Sequence, residues 1–212
     1  MKQNYQLILD KTLIEISKRE ARPSLLLHAC CAPCSSYVLE YLCEYFDVTM
    51  FFYNPNISPR TEYDVRYAEL ERLINDMGLS GKVSFVSSVY EPERFFEIAK
   101  GLEHLPEGGE RCRKCYAQRL EQTALAAREG EFDYFTTTLS ISPYKNAQWL
   151  CEIGVEMGER YGVKYLVSDF KKRGGYNRSC ELSQKYGLYR QDFCGCVYSK
   201  RDREKQKNQD KI

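Results

Sequence analysis

Short apolar runs alternate along the chain with amphipathic stretches, and that rhythm predicts strands and helices in turn. Leu25-Leu26-Leu27 is too short a run for a helix and is bounded by Pro23 and by small residues, so Ser24–Ala29 is predicted as a buried strand. Asp47–Tyr53, Lys82–Val89, Tyr134–Leu139 and Val163–Val167 supply four more. Helical spacing fills the intervals. Gln6–Arg19 carries Leu7, Leu13, Ile14 and Ile16 as a partly apolar face, and a helix is expected over about Ser35 to Phe46. Thr61 is expected to cap a helix whose Tyr63, Tyr67, Leu70, Ile74 and Met77 share one side and which Gly78 ends. Pro92–Lys100, a helix with Tyr116, Leu120, Ala124 and Ala127, and one with Leu150, Ile153, Met157 and Tyr161 complete the set. Strands alternating with helices predict an α/β fold, a Rossmann-like parallel sheet of about five strands flanked by helices.

The alternation stops after Val167. Ser168–Ser179 is a basic, glycine-containing loop, a short helix is expected over Cys180–Tyr186, and a cysteine-rich extension ends in Phe193-Cys194-Gly195-Cys196. Residues 200–212 carry six basic against three acidic side chains and are expected to be a disordered tail. The whole chain, residues 1–212, reads as one domain: an N-terminal helix through residue 22, a core over 23–167, the basic loop and cysteine segment over 168–199, and the tail.

Size and composition narrow the chemistry. A chain of 212 residues with 43% hydrophobic content buries a substantial core without staples. No apolar run approaches a membrane span and Met1-Lys2-Gln3-Asn4-Tyr5 lacks a signal pattern, so a cytoplasmic location without a membrane partner is expected. Ten cysteines in such a chain favour metal or redox chemistry over a disulfide framework. The net charge of +1 hides local bias: Arg111, Arg113, Lys114 and Arg119 flank one cysteine pair, and Lys171, Lys172, Arg173 and Arg178 precede Cys180. Such clusters suit a polyanionic partner, and solvated surface is the plainer alternative.

Cys30, Cys31 and Cys34 fall where the first strand turns into a helix, the end of a parallel sheet at which ligands bind and where the helix N-terminus favours thiolate. Cys112 and Cys115 repeat the two-residue gap at another expected helix start. Two such pairs fit a four-thiolate zinc site; the adjacent Cys30 fits an iron–sulfur cluster better, because adjacent ligands crowd a single ion. Spacing alone leaves both open, with a thioredoxin-like dithiol at Cys31 and Cys34 as a third reading. Cys194 and Cys196 close only a small, strained ring, which suits a reversible redox pair; a further pair of metal ligands is the alternative. Cys43 and Cys151 read as core, Cys180 as a small residue at a helix start, and His28 as a hydrogen-bonded support for the thiols. Tyr144 and Tyr176 lie in loops from which a ring can stack on a base. No glycine-rich phosphate loop is present, so neither an ATP nor an NAD site is expected.

His28-Ala29-Cys30-Cys31-Ala32-Pro33-Cys34, Arg111-Cys112-x-x-Cys115, Thr136-Thr137-Thr138-Leu139 with Ser142-Pro143-x-Lys145, Phe170-Lys171-Lys172-x-Gly174-Gly175 and Cys194-Gly195-Cys196, in this order from about Leu25 to Tyr198, resemble the cobalamin-independent epoxyqueuosine reductases. The resemblance implies a Rossmann-like core of HUP type and reduction of epoxyqueuosine to queuosine at the tRNA wobble position, without cobalamin. It implies a 4Fe-4S cluster on Cys30, Cys31, Cys112 and Cys115 and a redox-active disulfide of Cys194 and Cys196. Cys34 stays open between holding an additional iron, assisting catalysis and packing. Removing an epoxide oxygen to leave an alkene takes two electrons and two protons, so an external electron donor is implied, and a low-potential cluster delivers electrons singly. The anticodon loop of tRNA is expected over the carboxyl edge of the strands with the modified nucleotide extruded, and Lys171, Lys172, Arg173, Tyr176 and Arg178 are the residues expected to bind it.

Overall fold

The computed structural model describes residues 3–209. Five parallel strands, β1 (Ser24–His28), β2 (Asp47–Phe52), β3 (Ser84–Ser87), β4 (Tyr134–Thr137) and β5 (Lys164–Tyr165), lie in the order β3-β2-β1-β4-β5. β1 is central, paired with β2 on one side and β4 on the other. The chain winds outward through β2 and β3, then crosses back to place β4 beside β1. The crevice past the carboxyl end of β1 is therefore the topological switch point, where open α/β sheets bind ligands. Leu25, Leu26, Leu27 and His28 are all buried, as helices on both faces of the sheet require.

The helices are α1 (Tyr5–Ser17), α2 (Ala32–Leu42), α3 (Arg60–Asp76), α4 (Pro92–Ala99), α5 (Glu110–Glu129), α6 (Ala147–Tyr161), α7 (Gly175–Lys185) and α8 (Val197–Gln209). α1 buries Leu9, Leu13 and Ile16, whereas Leu7 and Ile14, expected on its apolar face, are about half exposed. α2 begins three residues earlier than expected because Pro33 suits a first turn and Cys31 takes the N-cap in an extended conformation. Pro59, not Thr61, stands at the N-cap of α3. β4 stops at Thr137, and Thr138–Ile141 tightens into a 3-10 turn in which the Thr137 hydroxyl accepts from the Leu139 amide. β5 shrinks to two residues at the sheet's edge.

Two corrections concern the C-terminal part. Helix α7 starts at Gly175, so Tyr176 and Arg178 belong to a helix and Cys180 lies in its middle. Residues 200–209, expected to be disordered, continue α8; residues 210–212 lie outside the described residues. α8 is polar almost all round and buries Ser199 alone. Polar bonds hold it instead, among them Arg203 Nε to the Asp192 carbonyl (3.1 Å) and an Arg201 guanidinium N–H to the Glu103 carbonyl (2.9 Å).

α7 packs on α2, the helix that carries Cys34, and Gly175 is where they meet. A Cβ at Gly175 would collide with the Phe170 carbonyl oxygen and the Tyr37 ring, both fixed in place. Gly175→Ala is therefore expected to cost about 1–3 kcal/mol, seen as a lower denaturation midpoint with an unchanged slope.

Candidate metal centre

The Sγ atoms of Cys30, Cys31 and Cys34 all lie within 4.8 Å of one another at the mouth of β1. The fold brings them together: β1 ends at His28 and α2 starts at Ala32, so the three cysteines share one short turn and the first turn of the helix. Cys30 Sγ stands 3.8 Å from Cys31 Sγ. Hydrogen bonds from Cys30 and Cys34 hold the Cys31 thiol well below its ordinary pKa, and sharing in the same network pushes Cys34 well up. Cys34, whose part is open from sequence, sits with Cys30 and Cys31.

Cys112 and Cys115 project from the first turns of α5. They line a small cavity together with Cys194, Cys196, Asn56 and Arg119. The Gly108 amide donates to Cys112 Sγ (3.3 Å), and burial pushes the Cys115 thiol up to about 11. Cys194 and Arg119 also line a larger cavity of about 750 Å³ whose wall includes Cys30, Cys31 and Cys34. The two groups of sulfur therefore face adjoining spaces with Arg119 and Cys194 at the junction. Among the remaining cysteines, Cys43 is partly buried against the core, and Cys151 is buried with its thiol directed at the Ser168 carbonyl (3.4 Å).

Gly195 holds φ +114° between Cys194 and Cys196, a conformation that favours glycine, and a Cβ there would press on Ile57. The Gly195 carbonyl accepts from the Ser58 amide at 2.9 Å. Arg66, 1% exposed, donates to the Cys194 and Phe193 carbonyls and pairs with Glu62, fixing this segment against α3. Cys196 Sγ accepts from the Ser199 amide (3.3 Å), and the Cys194 amide donates to Ser199 Oγ (2.9 Å). The start of α8 is thereby tied to the cysteine pair.

Basic residues expected to flank the cysteines as a surface are split by the structure. Arg111 and Arg119 are each 1% exposed. Arg111 donates to the Leu102, Glu103 and Leu105 carbonyls and closes the loop before α5. Arg119 is held by fewer bonds: Nε reaches only the Cys115 carbonyl (3.3 Å), Nη2 has no partner, and among the described residues no carboxylate pairs with it; Arg111, which lines the same small cavity, likewise has no carboxylate and leaves Nε and Nη2 without partners. A guanidinium out of water costs several kcal/mol unless opposite charge compensates it. The groups around Arg119 include Cys30, Cys115 and Cys194. Asn56 repeats the pattern: it is 1% exposed, faces the same small cavity, and neither amide atom has a partner.

His28 supports the site from behind. It is fully buried, and burial, with the charge of Arg119 adding to it, lowers its pKa to about 4, so the ring is neutral. The Tyr53 carbonyl can only accept, which puts the proton on Nε2 (3.0 Å) and leaves Nδ1 to accept from the Thr137 hydroxyl (2.8 Å).

Of the residues expected to bind tRNA, Tyr176 lines the large cavity; Lys171, Lys172, Arg173 and Arg178 do not. Lys171 pairs with Asp169 (2.7 Å), Arg173 with Asp10, and Arg178 with Glu40 (2.8 Å) and Glu181 (2.9 Å). The cations on the cavity wall are instead Arg66, Arg119, Lys145, Arg190 and Arg203. Tyr144 lies at the same wall and is 69% exposed. One sign of Arg119 was present in the sequence: it stands four residues after Cys115 on the stripe that Leu120, Ala124 and Ala127 continue into the core, a place where a charge is costly.

Thr137→Val keeps the shape and removes the donor to His28. The buried Nδ1 is left unsatisfied, and a loss of about 1–3 kcal/mol in unfolding free energy is expected from chemical denaturation.

Comparison with known proteins places this geometry in a family. The family model described as "Epoxyqueuosine reductase QueH" matches residues 25–202. Proteins of that name from Staphylococcus epidermidis and Streptococcus pyogenes are 44% and 43% identical to the chain, each over 92% of it and over 84% and 78% of the relative. The one from Thermotoga maritima is 38% identical over 83% of this chain and 90% of its own. Among solved structures, a U34-tRNA thiolase NcsA from Methanococcus maripaludis with its [4Fe-4S] cluster is similar at a TM-score of 0.48 and 12% identity, over 91% of this chain and 67% of that one. No helix among the described residues is long and apolar enough to cross a membrane.

Proposed function

The chain belongs to the epoxyqueuosine reductase QueH family and reduces epoxyqueuosine to queuosine, and we propose that it does so with a 4Fe-4S cluster held by Cys30, Cys31, Cys112 and Cys115. The observation that carries this reading is Arg119. A buried guanidinium without a carboxylate, set where two groups of thiols meet, calls for a resident anion, and a thiolate-ligated cluster is one. Asn56 supplies unpaired amide hydrogens on the same wall, suited to a sulfur acceptor. When bound, such a group supplies low-potential electrons one at a time.

The rest of the reaction falls to the chain's own residues. Cys194 and Cys196 are the redox pair that receives electrons from an external donor, and Cys194 adjoins both cavities. Cys34 completes the sulfur group at the head of α2 and is the residue open to an additional iron. The substrate base is carried on tRNA. The cavity of about 750 Å³ suits one extruded nucleotide and not a duplex. Tyr176 and Tyr144 offer rings for stacking, and Arg190 and Arg203 offer charge to the flanking phosphates. Of the basic loop, Lys172 is exposed and in no ion pair among the described residues, whereas phosphate would have to displace Asp169, Asp10 and Glu40 from Lys171, Arg173 and Arg178.

Protein reconstituted without oxygen is expected to be brown, to carry about four irons and four sulfides per chain as the proposed cluster requires, and to convert epoxyqueuosine-tRNA to queuosine-tRNA, read by nucleoside mass analysis. Serine at Cys112 or Cys115 should abolish the colour. Serine at Cys194 or Cys196 should leave iron content intact and slow turnover; loss of iron there would make them ligands. A colourless zinc-loaded protein that still reduced the epoxide would overturn the cluster.

A further inference from the structure

Opening the epoxide puts negative charge on an oxygen, and the wall of the cavity has to receive it. His28 does not line the cavity. Arg66 spends its donors on Glu62, Cys194 and Phe193, and Arg119 faces the sulfurs. Arg190 bonds Ser183 Oγ and the Tyr176 hydroxyl, and Arg203 is tied to Asp192 and Gln206. One buried cation remains.

Lys145 stands on the loop between the Thr138–Ile141 turn and α6, 8% exposed, on the wall that Cys30, Cys31 and Cys194 share. Its Nζ donates to Glu107 Oε1 at 2.7 Å, the one hydrogen bond recorded for its three N–H groups among the described residues. Glu107 is held in turn by Ser199, whose hydroxyl donates to Oε2 at 2.9 Å. The carboxylate thus fixes the ammonium from one side and leaves two N–H donors unspent.

We infer that Lys145 is the residue that binds the epoxide oxygen and gives it its first proton. As two electrons from the reductant enter, both carbon–oxygen bonds break and the alkene forms. The oxygen takes one proton from the Lys145 ammonium and a second from water, leaving as water; the amine regains its proton from solvent. Burial alone would lower the lysine's pKa, but the Glu107 carboxylate 2.7 Å away favours the charged form, so the ammonium is intact when substrate arrives. An alkoxide is a stronger base than an amine, so the transfer still runs downhill. Glu107 and Ser199 are positioning residues.

The inference rests on the thiol-lined cavity being the reaction site, and its test separates the two. Binding of tRNA carrying epoxyqueuosine and of tRNA carrying queuosine is measured on the cluster-loaded protein without reductant. Wild type should prefer the epoxide about tenfold, because the product lacks the oxygen that a charged donor grips. Lys145→Gln, which can still hydrogen-bond Glu107, should bind both alike. Single-turnover reduction by this variant should be at least about a hundredfold slower at unchanged iron content. Lys145→Arg should keep the preference yet remain slow, since guanidinium yields its proton poorly. If Lys145→Gln does not fold, the arginine variant decides: a lost preference, or full speed, overturns the inference. A wild type that reduces the epoxide without preferring it also overturns it, whereas one that reduces nothing counts against the site itself.

Discussion

The structure depends on how little chain separates β1 from α2. Three residues, Ala29 to Cys31, turn the central strand into a helix, and they do so at the one point of the sheet where the winding reverses. A nucleotide-binding protein of this topology would place a longer glycine-rich turn there to admit phosphate. Here the turn is shortened and filled with sulfur. The Asn54 side chain donates to the Ala29 carbonyl at 2.8 Å, and His28 is held by Thr137 and Tyr53, so strands on both sides brace the turn. What approaches it must come from α5 and from the segment before α8, and those are the elements that carry the other cysteines.

Charge is the second theme. The fold buries Arg66, Arg111 and Arg119 among its largest fully enclosed side chains, an expensive arrangement. Arg66, paired with Glu62, clamps the Cys194 segment; Arg111 clamps the loop that delivers Cys112 through Nη1 alone, with Nε and Nη2 left without partners. They act as covalent staples do in smaller proteins, fixing loops that have few apolar contacts of their own. Arg119 differs in kind, because the groups around it include the sulfurs of Cys30, Cys115 and Cys194.

Much of this was legible in the sequence. The apolar runs of Leu25–Leu27 and Val48–Phe52 and the cysteines beside them are signals of short range, and they located the sheet and both thiol groups. What escaped is what depends on distant partners. Arg119 and Arg111 counted as surface basic residues because nothing local says that a charge is buried. Lys171, Arg173 and Arg178 looked free to meet phosphate, but Asp169, Asp10 and Glu40 occupy them, and two of those carboxylates are far away in the chain. The end of the chain looked too polar to fold by itself, which is a fair inference for a segment without an apolar face. Helix α8 forms against expectation because caps and ion pairs hold it, Ser199 and Cys196 at its start and Lys207 to Asp192 near its end (2.5 Å).

That manner of attachment has a mechanical consequence. An element fixed by solvent-reachable polar bonds and one small buried side chain detaches at a fraction of the free energy needed to open the sheet. Asp202, Arg203 and Gln206 line the large cavity, so its wall includes the element that detaches most readily. The Cys194-Gly195-Cys196 turn before it stays clamped by Arg66 and by the Ser58 amide, so loosening of α8 would leave the sulfur-lined part of the wall in place.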